Sequence, residues 1–134
     1  MSLTITPDQH HTFLSSQAEE FRSTYRIGNS IAREARSRQK NLIVEEFKEF
    51  LDADGMMFRA GPGPKADCLK ELADLVYVCY QYAANQEWDL DEALDRVHKS
   101  NMSKLDDDGN PIFREDGKVL KGPNYAPPSL EDLV

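Results

Sequence analysis

Two segments of the chain combine residue type and spacing in a way that could do chemistry: Glu45-Glu46-Phe47-Lys48-Glu49 and Glu71-Leu72-Ala73-Asp74. On a helix, residues three apart lie one turn apart on the same side, so Glu46 pairs with Glu49 and Glu71 with Asp74. Two carboxylates held this way repel unless something positive sits between them. Glu46 also lies between Ile43 and Phe50 on the helix surface, at the border of the apolar face, where a carboxylate needs a cation or a set of donors. An all-oxygen donor set selects a hard cation. Magnesium is expected here, with manganese as the substitute, because magnesium keeps water and phosphate oxygens in its shell rather than a full protein cage. A triphosphate is the natural guest. The competing reading is a solvated acidic face neutralised by Lys40 and Lys48, as charge runs usually are. A second pair at the same spacing, placed directly before an apolar run, weighs against it.

These residues need two helices facing each other. Thr6-Pro7-Asp8 opens a first helix expected to reach Arg26, with Phe13, Leu14, Ala18 and Phe21 at helical spacing and Gly28 ending it. Asn29 or Ser30 caps a second helix that continues to about Ala53. Gly61-Pro62-Gly63-Pro64 reads as part of a long loop from Gly55, because proline lacks a donor and clashes with the preceding turn. A third helix follows from Lys65 to Gln86. Its stretch Leu75-Val76-Tyr77-Val78-Cys79-Tyr80 is apolar all round, which predicts a central position. Asp89 caps a fourth helix reaching about Lys104. If the second and third helices pack antiparallel, their four carboxylates converge, which is how helical bundles build carboxylate metal sites.

The expected fold class is therefore all-α, a four-helix bundle with a helical core over about residues 8–104. A turn-rich tail over 105–134 follows, with a short hairpin around Glu115-Asp116-Gly117. The 134 residues fit one domain spanning 1–134. A net charge of -8 excludes a duplex nucleic-acid surface, which needs a basic stripe. No basic-plus-apolar leader and no long apolar run is present, so no membrane partner and a cytoplasmic location are expected. Cys68 and Cys79 read as reduced core thiols. Asp106-Asp107-Asp108-Gly109-Asn110 lacks the spaced ligands and closing glutamate of a calcium loop.

The paired acidic motifs, in order and on helices separated by a loop, resemble the signature of the MazG-like all-α nucleoside triphosphate pyrophosphohydrolase superfamily. That superfamily includes phosphoribosyl-ATP pyrophosphohydrolases and dimeric dUTPases. The likeness extends through Leu72-Ala73-Asp74-Leu75-Val76-Tyr77-Val78, His98-Lys99-Ser100-Asn101-Met102-Ser103-Lys104 and, more loosely, Asp116 to Tyr125, and it is nearest to the single-domain phage and bacterial members. It implies that Glu46, Glu49, Glu71 and Asp74 hold magnesium, and that Glu45 assists a second metal or the attacking water. The bond cleaved would lie between the α- and β-phosphates, giving a monophosphate and pyrophosphate. It also implies a homodimer or dimer of dimers acting on a small-molecule nucleotide.

His98, Asn101 and Lys104 recur at one-turn intervals, so an amide and an ammonium could reach the phosphates together. The resemblance favours Lys104 as a phosphate ligand over a plain surface lysine. His98 reads equally as an edge-of-core residue. Lys118 and Lys121 fit either a lid over the phosphates or solvated lysines of a polar tail. Phe13, Phe21, Tyr25, Phe58, Trp88 and Tyr125 could stack on a base, but no base preference follows from them. Two alternatives stand beside a nucleotide-pool hydrolase: a phosphoribosyl-ATP pyrophosphohydrolase, and a non-catalytic helical interaction protein.

Overall fold

A computed structural model describes residues 7–134, with side chains from Leu14 onward. The helix-start residue Thr6 and the Phe13 side chain lie outside the described residues. Four α-helices follow in order: α1 (Pro7–Thr24), α2 (Arg33–Gly55), α3 (Gly63–Gln86) and α4 (Leu90–Met102), with a 3-10 turn at Glu131–Leu133. The all-α class read from the sequence holds, and the helices are those of a four-helix bundle. The chain divides into two compact units, 1–88 and 89–134.

In the first unit α3 is the shared element, packed against both α2 and α1. Its N-terminus differs from the sequence expectation. Gly63 and Pro64 belong to the helix, and the connecting segment is shortened to 56–62. Proline in a first turn forfeits no hydrogen bond, since that N–H has no helical partner. α1 ends two residues before Arg26, and Arg26 itself takes the left-handed conformation (φ 58°) that Gly28 was expected to supply. α2 starts at Arg33 without a side-chain cap. Ser30 Oγ instead accepts from the Ala32 N–H at 3.1 Å.

Among the described residues the fully buried apolar set is small: Ala18, Ala35, Cys68, Tyr80 and Ala83. A polar network completes this core. The Arg22 guanidinium donates to Asn29 Oδ1 (2.8 Å), Asn85 Oδ1 (3.1 Å), Gly28 O (3.2 Å) and Gln81 Oε1 (3.4 Å). Asn85 also donates to Ser30 O at 2.9 Å. These bonds tie the α1–α2 connection to the C-terminal half of α3. Four neutral acceptors compensate the buried guanidinium, and burial pulls its pKa down.

The apolar run of α3 is only partly covered. Tyr80 is buried, but Val76 and Tyr77 are 44% and 41% exposed, alongside Leu69 and Leu72. The two helices packed on α3 within the first unit leave part of it uncovered. A groove of about 420 Å³ between α1 and α3 is lined by Leu14, Ala18, Leu69, Leu72, Val76 and Tyr80. Cys68 is buried, Cys79 half-buried, and both are free thiols.

In the second unit, Asp89 Oδ1 accepts from the Glu92 N–H at 3.0 Å, the N-cap read from the sequence. The tail is strapped to α4. Arg96 makes a bidentate pair with Asp132, with Nη2–Oδ2 at 2.9 Å, and donates to Ser129 O at 3.0 Å. The expected hairpin is reduced to one antiparallel bridge, Phe113 with Val119, turned at Gly117 (φ 89°). No helix among the described residues is long and apolar enough to cross a membrane.

Candidate metal centre

The carboxylates meet where α2 and α3 pack. One oxygen each from Glu46, Glu49 and Glu71 lies within 4.8 Å of the others. The one-turn spacing in α2 puts Glu46 and Glu49 on one side of that helix, and Glu71 arrives from the facing helix. Glu46 Oε2 and Glu71 Oε2 are buried and have no hydrogen-bond partner. A buried carboxylate oxygen without a donor is costly, and two of them aimed into one acidic cluster call for a cation. Neither Lys40 nor Lys48 forms an ion pair among the described residues. The two lysines expected to neutralise an acidic face on α2 therefore do not pair with it.

The electrostatics agree. The Glu49 carboxyl is held above its ordinary pKa of 4.5, first by a hydrogen bond and then by charge repulsion from Glu46, while a bond with Glu71 works the other way. Glu45, exposed one position before Glu46 on α2, adds to the repulsion. Three carboxylates this close repel one another, and a proton or a cation among them relieves that repulsion. An all-oxygen set of this kind fits a hard divalent cation.

Asp74 stands apart from the three. Its Oδ2 receives the Lys70 ammonium at 3.0 Å, and the same ammonium lies 3.3 Å from Glu71 Oε1. Lys70 sits one turn before Asp74 on α3, and the two acids raise its pKa, Asp74 most strongly. The sequence reading brought four carboxylates together; the structure gathers three and hands the fourth to a neighbouring lysine. Lys70 was missed, although its position four residues before Asp74 is the ordinary helical ion-pair spacing. The Arg22, Gln81 and Asn85 network was also missed, because 59 and 63 residues separate Arg22 from its α3 partners.

The remaining predicted residues lie in the second unit. His98 and Asn101 are exposed on α4, and Lys104 is half-buried just past its end. Lys118 is exposed in the tail, and Lys121 places its ammonium 4.7 Å above the Tyr125 ring. Of the aromatic candidates, Phe58 is 82% exposed in the α2–α3 connection, Phe21 packs against Tyr25 and Tyr77, and Trp88 lies 6.0 Å from Tyr82. Trp88 lies between α3 and α4, its backbone N–H donating to Ala83 O.

An all-α chain in which two facing helices share an acidic triad has the features of a carboxylate metal site. The chain belongs to the phosphoribosyl-ATP pyrophosphohydrolase family, whose model matches residues 8–101, and so to the MazG-like superfamily it resembles in sequence. It is a pyrophosphohydrolase of a family that acts on small nucleotides. No curated protein sequence matches it.

Proposed function

We propose that the protein hydrolyses a nucleoside or deoxynucleoside triphosphate between the α- and β-phosphates, with magnesium, releasing the monophosphate and pyrophosphate. The observation that carries this reading is the pair of buried, partnerless oxygens on Glu46 and Glu71 beside Glu49. Glu46, Glu49 and Glu71 would hold the ion, with Asp74 joining once Lys70 gives it up. When bound, magnesium supplies charge neutralisation on the phosphate oxygens and lowers the pKa of a coordinated water. Glu45 is exposed on the same helix and free of hydrogen bonds among the described residues. It accepts the proton of the attacking water. Asn101 and Lys104, with His98, Lys118 and Lys121, bind and orient the phosphate chain. Lysine does this as a compact charge with three donors.

The full chain 1–134 is proposed to act as one functional domain in the cytoplasm. The exposed stripe of Leu69, Leu72, Val76 and Tyr77, with the groove beside it, supports assembly as a homodimer or dimer of dimers. A second reading, phosphoribosyl-ATP as substrate, is favoured by the family whose model matches. Pyrophosphate release from a panel of nucleoside triphosphates and phosphoribosyl-ATP separates the two. Release from phosphoribosyl-ATP alone would replace the free-nucleotide reading.

A further inference from the structure

The second unit contains a contact that the carboxylate chemistry does not use. Gly122 approaches the end of α4 so closely that a Cβ added there would lie 2.2 Å from the Leu105 carbonyl oxygen and 2.7 Å from that of Lys104. Both obstacles are backbone, so no side-chain rotation relieves them. Hydrogen bonds fix this approach from either side. Ser103 Oγ donates to Ser100 O at 2.6 Å and accepts from the Ala126 N–H at 3.0 Å. Asn124 Nδ2 donates to Asp107 Oδ1 at 2.8 Å, and the Tyr125 N–H closes a turn onto Gly122 O at 3.2 Å.

The consequence concerns two lysines. Gly122 approaches the carbonyls of Lys104 and Leu105, so Lys121, the residue before it, enters this turn near Lys104. Neither lysine has a carboxylate partner among the described residues. The nearby acids are engaged elsewhere: Asp106 Oδ1 accepts from the N–H groups of Asp108 and Asn110, and Asp107 accepts from Asn124. In a chain of net charge -8 these are two cations without an ion pair, set beside one turn. Lys121 rests on the face of Tyr125, an attraction that is weak at an exposed site. A charge-assisted bond to a phosphate oxygen is stronger, so the ammonium can leave the ring when an anion arrives.

We propose that Gly122 and Tyr125 are positioning residues: Gly122 seats the tail on the α4 terminus so that Lys121 joins Lys104 on one polyphosphate anion, and Tyr125 holds Lys121 ready. This rests on the pyrophosphohydrolase reading above and assigns Gly122 and Tyr125 a part in it.

The test uses full-length protein with magnesium, reading inorganic tripolyphosphate affinity by calorimetry and KM and kcat on an accepted nucleotide. Lys121→Ala is expected to weaken affinity and raise KM roughly 5- to 30-fold, the loss of one charged contact, with kcat changed less. Gly122→Ala should give a loss of the same size. The double variant should be no worse than either single, because both remove one contact. Tyr125→Phe keeps the π face and should retain more affinity than Tyr125→Leu. If Gly122→Ala does not fold, Lys121→Ala with the two Tyr125 variants carries the test. Additive losses in the double variant, or unchanged tripolyphosphate affinity in Lys121→Ala, would overturn the proposal. A wild type that hydrolyses nothing and binds no tripolyphosphate would instead sink the pyrophosphohydrolase reading itself.

Discussion

Replacing Glu46 with Gln should raise stability without metal and remove most of the stabilisation that metal gives. The oxygens of Glu46 and Glu71 lie within 4.8 Å of each other, each residue having one oxygen buried and unpartnered. At that separation two like charges repel by about 1 kcal/mol at the dielectric of water and about 3.5 kcal/mol at an effective value of 20. Removing one charge in chelator should therefore stabilise the protein by roughly 1–3 kcal/mol, and for a chain of this length each kcal/mol moves Tm by about 3–5 °C. With magnesium at about a hundred times its Kd, the wild type gains about 2.7 kcal/mol, or roughly 8–13 °C, by binding to the folded state. Glu46→Gln should lose most of that gain. The assay is thermal unfolding of both proteins in chelator and in excess magnesium: the variant should melt higher than the wild type in chelator and gain far less on adding magnesium. A variant that melts lower in both, or that keeps the full magnesium shift, would refute Glu46 as a ligand in a repulsive cluster.

Lys104→Ala should weaken triphosphate binding roughly 10-fold while magnesium binding without nucleotide stays intact; calorimetry reads both, and an unchanged nucleotide affinity removes Lys104 from the site. Asn85→Ala strips the buried Arg22 guanidinium and Ser30 of partners and should cost about 2–4 kcal/mol, seen as a lower urea midpoint. Burial pushes the Cys79 thiol above its ordinary pKa, so alkylation at pH 8 should be slow in native protein and fast in denaturant; rapid native labelling would contradict the packing around α3. The Arg96 guanidinium holds the Asp132 carboxyl below its ordinary value near 3.8. A depressed carboxyl contributes stability above its unfolded pKa and loses it as pH falls through the folded one, so the tail strap should persist through pH 4 and release only in stronger acid. NMR titration of the C-terminal residues checks this, and release between pH 5 and 4 would contradict the pairing.

Helical spacing made the acidic triad legible, because i, i+3 geometry and a facing helix are enough to bring Glu46, Glu49 and Glu71 together. Asp74 was assigned to the same cluster since spacing alone does not weigh a competing ion pair, and Lys70 supplies one. The Asp89 cap was readable from a local rule. The start of α3 was not, because Gly61-Pro62-Gly63-Pro64 serves equally as a loop or as a loop running into a first turn. The expected central place of α3 holds within the first unit, where it packs on both α1 and α2, but half-exposed Val76 and Tyr77 show that composition does not say how many neighbours a helix has. The Arg22 network and the seat of Gly122 depend on contacts between distant segments, for which no local pattern exists.

The most direct test of the central claim is pyrophosphate release by the purified full-length chain from a panel of standard and modified nucleoside triphosphates and phosphoribosyl-ATP, each with magnesium and with chelator. Metal-dependent release from one or more triphosphates, abolished in Glu46→Gln, is the expected result. Release that persists in chelator, or silence across the whole panel with magnesium present, would contradict it.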